Sequence, residues 1–459
     1  MKKRILATLL AAIMIFAFVA CANDPAPAAP ADGDNDVAEQ PADDPPANDD
    51  DDGDAPAVAG DTIVIQTLGL CYERYEAASA LGNLNYPYYR FRVEVGNAIR
   101  EALYPTPVEF VDWGWAEALD QRQRSMIAAG DIPDVVVGEI FMPTYANEGI
   151  LYPLPQDIVD AVNPSFMVFD NDGNAVAVAH RATAFMLFYN RDLLEAAGFS
   201  QAPTTWDEFR EMSAAITELG AGEFWGGGIP SFPHAGGALR ATPFFRQMGI
   251  DFFKDGDVQL DDPRLIEALE FIREMDAFLP PGLGNQADEG PLWNAFQEDQ
   301  IIGFVINGTW QASGAERMGM NWGAAPLPIP VGGQEGNCLV AAVYVGVPRG
   351  ARNPEASFEV IRISIAEEFQ KIWMEDTMPS VRQSIIDNPS MWPDNPVLEV
   401  AFDAVSGGEV TGLASFPSND AQIWEIINQQ VLARATIDTG TSIQQIVDDA
   451  LAQIRPLLD

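Results

Sequence analysis

The apolar and polar positions between Phe296 and Pro330 form the most informative pattern in the chain. A polar segment, Phe296–Gln300, precedes the short apolar run Ile301–Ile306, which is rich in β-branched residues and stops at Asn307-Gly308. This pattern predicts a buried strand ended by a turn, with Trp310 just beyond it. In open α/β sheets, ligands bind at the carboxyl ends of strands. The stretch is therefore either a core strand followed by a buried Trp, or one wall of a binding site.

Short apolar runs alternate with helical periods in the first part of the body. Strands are predicted at Asp61–Gly69, Val108–Val111 and Asp134–Val137, with helices between them at Arg90–Leu103 and Ala116–Ala129. Strands separated by helices of this length are typical of βαβ units. The pattern therefore predicts an α/β fold with a parallel sheet.

The rest of the body continues with capped helices and short strands around a long apolar run, Ala175–Tyr189. Ser, Thr, Asp and Asn before an apolar period mark helix starts, and Asp-Gly pairs mark turns. The predicted elements are turns at Asp170–Gly173 and Asp255-Gly256, strands at Trp225–Ile229 and Val340–Val347, and helices from Trp206 (capped by Thr204-Thr205), Arg264–Phe278 (capped by Asp261-Asp262-Pro263), Glu355–Ile365 (after Asn353-Pro354), a further helix through Met374, Ile423–Ala435 and Ser442–Leu458.

The first 20 residues have the composition of a secretory signal. Three basic residues precede the apolar stretch Ile5–Ala20, which is too short for a stable membrane span. The segment Phe18-Val19-Ala20-Cys21 looks like a bacterial lipobox, which implies cleavage before Cys21 and lipidation of that residue. The alternative is an ordinary signal peptide that a cysteine happens to follow.

Residues 21–60 are predicted to be the lipidated cysteine and a disordered tether. Beyond Cys21 they contain Ala, Pro, Asp, Asn and Gly with almost no large apolar side chain, so they cannot bury enough surface to fold. The formal net charge of the whole chain is −43. Such a charge repels nucleic acid and anionic lipid, so neither is expected as a partner.

Two cysteines, Cys71 and Cys338, remain after Cys21. They could form a disulfide in an oxidising compartment or remain two separate thiols, and the sequence leaves both alternatives open. The two histidines and few cysteines disfavour a metal site, and no cofactor is expected. The body that begins at Asp61 is too long for one ordinary core and suits two domains.

Several segments in order resemble one family. They are PDVV at 133–136, LFYNRDLLEAAGF at 187–199, PTTWDEF at 203–209, FKDGDVQLDDPRLIEALEFI at 253–272, GFVINGTW at 303–310, VGVPRGARNPEASFEVIRI at 345–363 and MPSVRQS at 378–384. Together they resemble the family 1 extracellular solute-binding proteins, the sugar-binding lipoproteins of bacterial ABC importers. The resemblance extends from about Asp61 to Asp459.

The resemblance implies two α/β lobes, a periplasmic-binding-protein-like fold of type II, with a hinge and a ligand cleft between the lobes. We expect one lobe at 61–183 and 343–376 and the other at 184–342 and 377–459. The chain would cross between them near Ala182–Tyr189, Leu339–Tyr344 and Asp376–Met378.

A sugar presents apolar C–H faces to aromatic rings and hydroxyls to polar side chains. Trp310 is the leading candidate, because the family has a cleft aromatic at that motif. One of Trp113 and Trp115 is expected to pack in the core, while Arg181 could form an inter-lobe ion pair and Arg382 could cap a helix. Trp206 and Trp373 are expected in the core, and Trp392 is a weak further candidate. The predicted ligand-binding residues are Tyr72, Trp113, Trp115, Glu139 and Arg181 from the first lobe and Trp225, Asn307, Trp310 and Arg382 from the second.

The resemblance implies that the chain captures a carbohydrate by hinge closure and delivers it to ABC permease subunits in the membrane. A monomer anchored by lipid on the extracellular face of the membrane is expected. The alternatives are a sensor, a binder of polyamine or peptide, and a surface glycosidase with paired carboxylates. The chain contains no HExxH, GxSxG, Walker lysine or CxxC motif, which argues against an enzyme.

Overall fold

The computed structural model describes residues 62–66, 87–111, 113, 116–139, 141–254, 257–333, 339–406, 412–413, 416 and 419–458. The predicted signal, the lipidation site at Cys21 and the predicted tether lie outside these residues. So do Cys71, Tyr72, Trp115, Cys338 and the predicted turn at Asp255-Gly256.

The strands are mostly short, with one long exception in the middle of the chain. In chain order they are β1 (Ile63–Gln66), β2 (Val108–Val111), β3 (Val136–Gly138), β4 (Met167–Phe169), β5 (Ala175–Asn190), β6 (Trp225–Gly227), β7 (Phe253–Lys254), β8 (Asp257–Val258), β9 (Ile302–Gly308), β10 (Trp322–Ala325) and β11 (Val340–Gly346).

The helices alternate with these strands and then dominate the last part of the chain. They are α1 (Pro87–Ala102), α2 (Ala116–Ala129), α3 (Met142–Asn147), α4 (Gln156–Ala161), α5 (Arg191–Ala196), α6 (Trp206–Gly220), α7 (Ala235–Gln247), α8 (Pro263–Asp276), α9 (Gly290–Gln297), α10 (Gln311–Arg317), α11 (Pro354–Ser364), α12 (Glu367–Glu375), α13 (Gln383–Ile386), α14 (Pro396–Ser406), α15 (Asp420–Ile426), α16 (Arg434–Ile437) and α17 (Ile443–Ile454).

The predicted βαβ arrangement at the start of the body is confirmed. Strand β1 pairs in parallel with β2, and a parallel bridge joins Ile65 to Val135 beside β3. The carboxylate of the fully buried Asp134 accepts hydrogen bonds from the backbone N–H of Val64 and from both the backbone and the side chain of Arg352. This buried carboxylate therefore fixes the entry to β3.

Strand β5 is shared by two groups of strands. Its first part, up to Ala184, pairs antiparallel with β4 and β11, and β11 pairs antiparallel with β3. Its last part, from Phe185, pairs antiparallel with β9 and β10, and β6 adds to β9 in parallel. The long apolar run of the sequence is therefore one continuous strand that joins both halves of the sheet.

Two hydrophobic cores lie against this strand, and the last part of β5 contributes side chains to both. Met186 and Phe188 belong to the first core, which contains most of the buried residues from β1 to β5 and from β11 to α14. Leu187 belongs to the second core, which lies among α6, α7, α8 and the last helices. Successive side chains of a strand point to opposite faces, so β5 contributes to both cores. The predicted core positions of Trp206 and Trp373 are confirmed, since their exposed fractions are 6% and 0%.

Helix starts follow the predicted capping residues. The hydroxyl of Thr205 accepts the N–H of Glu208, whose carboxylate accepts the N–H of Thr205, so both halves of a capping box are present. Asp262 caps α8, with Pro263 at its first position, and the side chain of Asn353 caps α11. Ser442, the first residue of the predicted helix Ser442–Leu458, caps α17.

One local prediction is wrong, and one predicted helix is present with an irregular stretch. The backbone of Asn307 and Gly308 does not turn but continues β9, paired with Met186 and Phe185 of β5. The glycine is required there for a different reason, since a Cβ on Gly308 would lie 2.1 Å from the indole of Trp310. The predicted helix Ile423–Ala435 contains a π-helical stretch, Ile427–Ala433, which the apolar period does not reveal.

Candidate ligand-binding site

The carboxyl end of β9 places the indole of Trp310 beside the point where β5 passes from one half of the sheet to the other. Trp310 is half-buried and precedes α10, whose first residue is Gln311. Its ring meets the ring of Phe185 edge-on, with centroids 5.6 Å apart and planes at 88°. The indole packs over Gly308, which has no side chain, and against the ring of Phe185. These two contacts fix its orientation.

A bulge in β5 sets the direction of Arg181. Arg181 pairs with Val343 of β11, while the next residue, Tyr344, pairs with Ala179, so His180 is the extra residue of the bulge. The amide of Gln370 donates to the carbonyl oxygen of His180 at 2.8 Å, which satisfies this displaced carbonyl. The guanidinium carbon of Arg181 lies 5.6 Å from the ring centroid of Trp373, within the range of a cation–π contact.

Glu139 and Arg181 lie at the same level of the sheet on either side of β11. Gly138 pairs with Tyr344 and Arg181 pairs with Val343, so the end of β3 approaches the bulge across a single strand. Glu139 and Arg181 are both half-buried. Of the sequence-predicted residues, Glu139 and Arg181 therefore lie at one level beside β11, and Trp310 lies at the end of β9 against Phe185.

Three threonines connect distant segments at this junction. The hydroxyl of Thr183 lies 3.0 Å from that of Thr309 and accepts the backbone N–H of Thr309 at 3.0 Å. The hydroxyl of Thr377 donates to the carbonyl oxygen of Thr309 at 2.7 Å. All three side chains are buried. The residue before Trp310 is therefore held by two of the segments predicted to cross between lobes.

The side chain of Arg240, on α7, is buried beside the end of β9. Each of its five N–H donors has an acceptor. Nε donates to the carbonyl oxygen of Ile306, and Nη1 donates to the carbonyl oxygen of Gly236 and to Oε1 of Glu289. Nη2 donates to Oε2 of Glu289 at 2.8 Å and to Oδ1 of Asn307 at 2.7 Å. Burial lowers the pKa of Arg240, and the charge of Glu289 opposes that effect. A complete set of acceptors is what allows a buried guanidinium to stay charged.

Aromatic rings surround the same guanidinium. Its central carbon lies 5.4 Å from the ring centroids of Phe185 and Phe232 and 4.7 Å from that of Trp293. The imidazole of His234 stacks on Phe232 with planes 9° apart. These side chains form a polar and aromatic layer that continues from Phe185 to Trp310.

Asn307 is fully buried within this layer. Its Oδ1 accepts from Arg240 and from the backbone N–H of Gly308, while Nδ2 donates to Oε1 of Gln311 at 2.8 Å. Gln311 in turn donates to Gln297 at 2.9 Å. The side chain therefore ties β9 to α10, and its predicted contact with ligand stays a prediction.

The other sequence-predicted residues lie apart from Trp310 or outside the described residues. Trp225 pairs with Ile302, at the opposite end of β9 from Asn307. Trp113 packs half-buried against the first core. Arg382 donates through Nη1 to the carbonyl oxygen of Ile365 at 2.9 Å, at the end of α11, which agrees with the alternative of a capping role. Tyr72 and Trp115 are among the residues not described.

Trp392 is accounted for by local contacts. Its indole stacks on Phe402 with centroids 4.1 Å apart, and Nε1 donates to the carbonyl oxygen of Ile385 at 2.9 Å.

Sequence reasoning did not single out Arg240, Glu289 or Trp293. The available signal was an arginine inside an otherwise apolar helical segment, ALRATPFF at 238–245, because a buried charge requires partners. Which carboxylate would meet it, 49 positions away in the chain, was not encoded in any local pattern. In the described part of the chain, His, Cys, Asp and Glu side chains do not gather in groups of three that could hold a metal ion.

Comparison with known proteins gives consistent results. The model of the bacterial extracellular solute-binding protein family matches residues 101–371. A putative binding protein of Brucella abortus is 26% identical over an alignment of 284 residues that covers 58% of this chain and 64% of the relative. The maltotriose-binding protein of Pyrococcus abyssi is 23% identical over 53% of each chain. The matched region thus spans less than two thirds of the length of these relatives.

Solved structures share the fold. The GacH receptor of Streptomyces glaucescens has a TM-score of 0.67 and 20% identity, over 86% of this chain and 98% of that one. Maltose-bound MalE3 of T. maritima has a TM-score of 0.70 and 19% identity, over 86% and 99%. These similarities confirm the two-lobed α/β fold of the periplasmic binding proteins. The family model matches more than half of the residues of this chain, so this chain belongs to the bacterial extracellular solute-binding protein family.

Proposed function

We propose that this chain is the substrate-binding component of a bacterial ABC importer and captures a mono- or oligosaccharide between its two lobes. The ligand contacts both lobes only when they approach, so it stabilises the closed form by its differential affinity. The closed form then docks on the permease subunits. The chain binds and releases its ligand without changing it chemically.

The observation that carries this proposal is the position of Trp310. Its half-buried indole lies at the end of β9, while Arg181 and Glu139 lie at one level of the other half of the sheet, on either side of β11. An aromatic ring suits the apolar face of a sugar, and the charged side chains suit its hydroxyls. Tyr72, Trp113, Trp115, Trp225, Asn307 and Arg382 remain further candidates for ligand contact.

The names of several relatives support carbohydrate as the ligand. They include the maltotriose-binding protein of Pyrococcus abyssi and, from Bacillus subtilis, a maltodextrin-binding and a galactooligosaccharide-binding protein. One similar solved structure, from Agrobacterium vitis, contains D-mannitol. These names cover sugars of different length, so they support the class of ligand and leave its length open.

We place the lobes at 61–183 with 343–376 and at 184–342 with 377–459. Support comes from β5, which pairs with different strands before and after residues 184 and 185. The backbone N–H of Phe185 also donates to the carbonyl oxygen of Leu339, so two of the proposed crossings lie side by side.

We further propose that the mature chain is a monomer held at the extracellular face of the membrane by lipid on Cys21. The basic and apolar leader and the segment before Cys21 support this proposal. Within the described ranges, no helix has the length and apolar character required to cross a bilayer. Replacing Cys21 with alanine should release the chain from membranes in fractionation, and continued sedimentation with membranes would contradict lipidation.

A thermal-shift screen of the full chain tests the ligand class. The panel contains maltotriose, β-1,4-galactobiose and D-mannitol, with spermidine and a tripeptide as representatives of the other classes. We expect one of the three carbohydrates to raise the melting temperature, because a ligand that binds the folded state stabilises it. A shift with spermidine or the peptide and none with any carbohydrate would overturn the proposal.

A further inference from the structure

In the ion pair between Arg240 and Glu289, the guanidinium is fully buried and the carboxylate is partly exposed. The side chain of Arg240 is 1% exposed, while that of Glu289 is 25% exposed. An ionised carboxylate has about four lone-pair positions, and Arg240 uses one on each oxygen. The exposed part of Glu289 therefore retains hydrogen-bond acceptors that a ligand can reach.

Asn307 cannot offer the same acceptor in this arrangement. Its Oδ1 already accepts two hydrogen bonds, from Arg240 and from Gly308, and the residue is fully buried. Since an amide oxygen has two lone pairs, both are used. Of these two residues, only Glu289 has unused lone pairs on a side chain that is partly exposed.

The surroundings of Glu289 hold its carboxylate in one position. A Cβ on Gly236, in the first turn of α7, would lie 1.9 Å from Oε1, so the carboxylate sits against the amino end of that helix. The positive end of α7 and the guanidinium of Arg240 both stabilise negative charge there. A fixed, charged acceptor beside the half-buried ring of Trp293 combines the two features by which proteins bind neutral sugars.

We propose that Glu289 is a ligand-contacting residue whose outward lone pairs accept hydrogen bonds from hydroxyls of a neutral carbohydrate, and that Arg240 is the positioning residue that holds it. This assignment rests on the proposed carbohydrate-binding function. Arg240 also contacts Phe185, which contacts Trp310. One buried guanidinium therefore contacts both the carboxylate and the aromatic layer that leads to Trp310. A carboxylate at this position selects ligands that donate hydrogen bonds and disfavours anionic ones.

Isothermal titration of maltotriose, β-1,4-galactobiose and D-mannitol into the full chain tests the assignment. Glu289→Gln should lower the affinity for whichever probe the wild type binds by at least about tenfold, because charge-assisted hydrogen bonds are lost. Glu316→Gln, a matched change at an exposed carboxylate on α10, should leave the affinity within about twofold.

A double variant separates binding from folding. Glu289→Gln alone leaves the charge of Arg240 buried without an ionic partner and should lower the melting temperature. In Arg240→Met/Glu289→Gln the buried charge is also removed, so the melting temperature should recover relative to the single variant. The affinity should stay at least about tenfold below that of the wild type, since the carboxylate is still absent.

The outcomes distinguish this assignment from the proposed function. Wild-type affinity in Glu289→Gln, or recovery of affinity together with stability in the double variant, would assign Glu289 a structural role and overturn the inference alone. Binding of spermidine and of none of the three carbohydrates by the wild type would overturn both the inference and the proposed function. Loss of affinity in both variants, with recovered stability in the double, is the result we expect.

Discussion

The backbone N–H of Thr309 is buried and has the hydroxyl of Thr183 as its acceptor, 126 positions earlier in the chain. Thr183→Val keeps the shape of the side chain and removes the acceptor. We expect the free energy of unfolding to fall by about 1–3 kcal/mol, the usual cost of leaving a buried donor without a partner. Chemical denaturation measures this change.

Thr242→Val provides the matched control for that measurement. The hydroxyl of Thr242 donates to the carbonyl oxygen of Ala238 one helical turn earlier in α7. This carbonyl lies within α7, and removing the hydroxyl leaves no buried donor without a partner, so the expected change is below about 1 kcal/mol. Equal effects of the two substitutions would contradict a special role for the Thr183–Thr309 contact.

Asp276, the last residue of α8, makes the stability depend on pH. Burial raises the pKa of Asp276 from 3.8 to about 6, and a long hydrogen bond from Asn285 opposes this only weakly. The folded state therefore binds a proton more tightly than the unfolded state. This residue's contribution to stability is largest below pH 3.8 and is lost as the pH rises through about 6.

Asp276→Asn should remove this dependence. At pH 8 the variant should be more stable than the wild type by about 1–3 kcal/mol, because it avoids burying a charge. The difference should shrink towards zero as the pH falls to 4, where the wild-type carboxyl is protonated in the folded state. Urea denaturation at both pH values measures it, with the exposed Asp403→Asn as control. A difference that does not change with pH would contradict the buried charge.

At the scale of elements, β9 contains Asn307 and leads directly to Trp310. The apolar run Ile301–Ile306 correctly predicted a buried strand, because its composition reports burial directly. The ending was predicted wrongly, because an Asn-Gly pair is a strong turn signal and the sequence does not show that Arg240 binds the asparagine or that an indole covers the glycine. Local signals thus located the strand, while long-range partners decided its end.

Gly308→Ala tests the close approach at the end of β9. The added Cβ would lie 2.1 Å from the indole of Trp310, so the ring must move. We expect a shift in tryptophan fluorescence and a loss of about 1–3 kcal/mol in the free energy of unfolding, as for other overpacked sites.

Gly440→Ala is the control for this substitution. The nearest neighbour of its Cβ is Oδ1 of Asp438 at 3.8 Å, which is an ordinary contact. Its effect on both fluorescence and stability should therefore be small. Unchanged fluorescence in Gly308→Ala would contradict the packing of Trp310 over this glycine.

At the scale of the whole molecule, the α/β class and the two-lobed fold could be predicted from the sequence. Alternating strand and helix periods gave the class, and an ordered set of family motifs gave the lobes. For the candidate site, strand ends could be read from the sequence, which placed Glu139 after β3 and Trp310 after β9, and their contact with ligand stays a prediction. Glu289 and Trp293 could not be predicted, because their role depends on Arg240, which approaches them only in the folded chain.

One continuous strand and a set of hydrogen bonds connect the two halves of the sheet at the whole-molecule scale. Strand β5 is continuous through the junction, and Thr183, Thr309 and Thr377 hold its neighbours by hydrogen bonds. The residue before Trp310 is therefore bonded to two of the segments proposed as crossings between the lobes.

The most direct test of the account is the affinity of Trp310→Ala for the carbohydrate that gives the largest thermal shift, measured by isothermal titration. The control is Trp322→Ala, which removes another half-buried indole, on β10. Its strand partner Asn190 lies five residues, or about 17 Å along β5, beyond Phe185, the partner of Gly308. We expect the affinity of Trp310→Ala to fall by more than about tenfold and that of Trp322→Ala to stay within about twofold of the wild type. Wild-type affinity in Trp310→Ala would remove this residue from the site and contradict ligand capture at the end of β9.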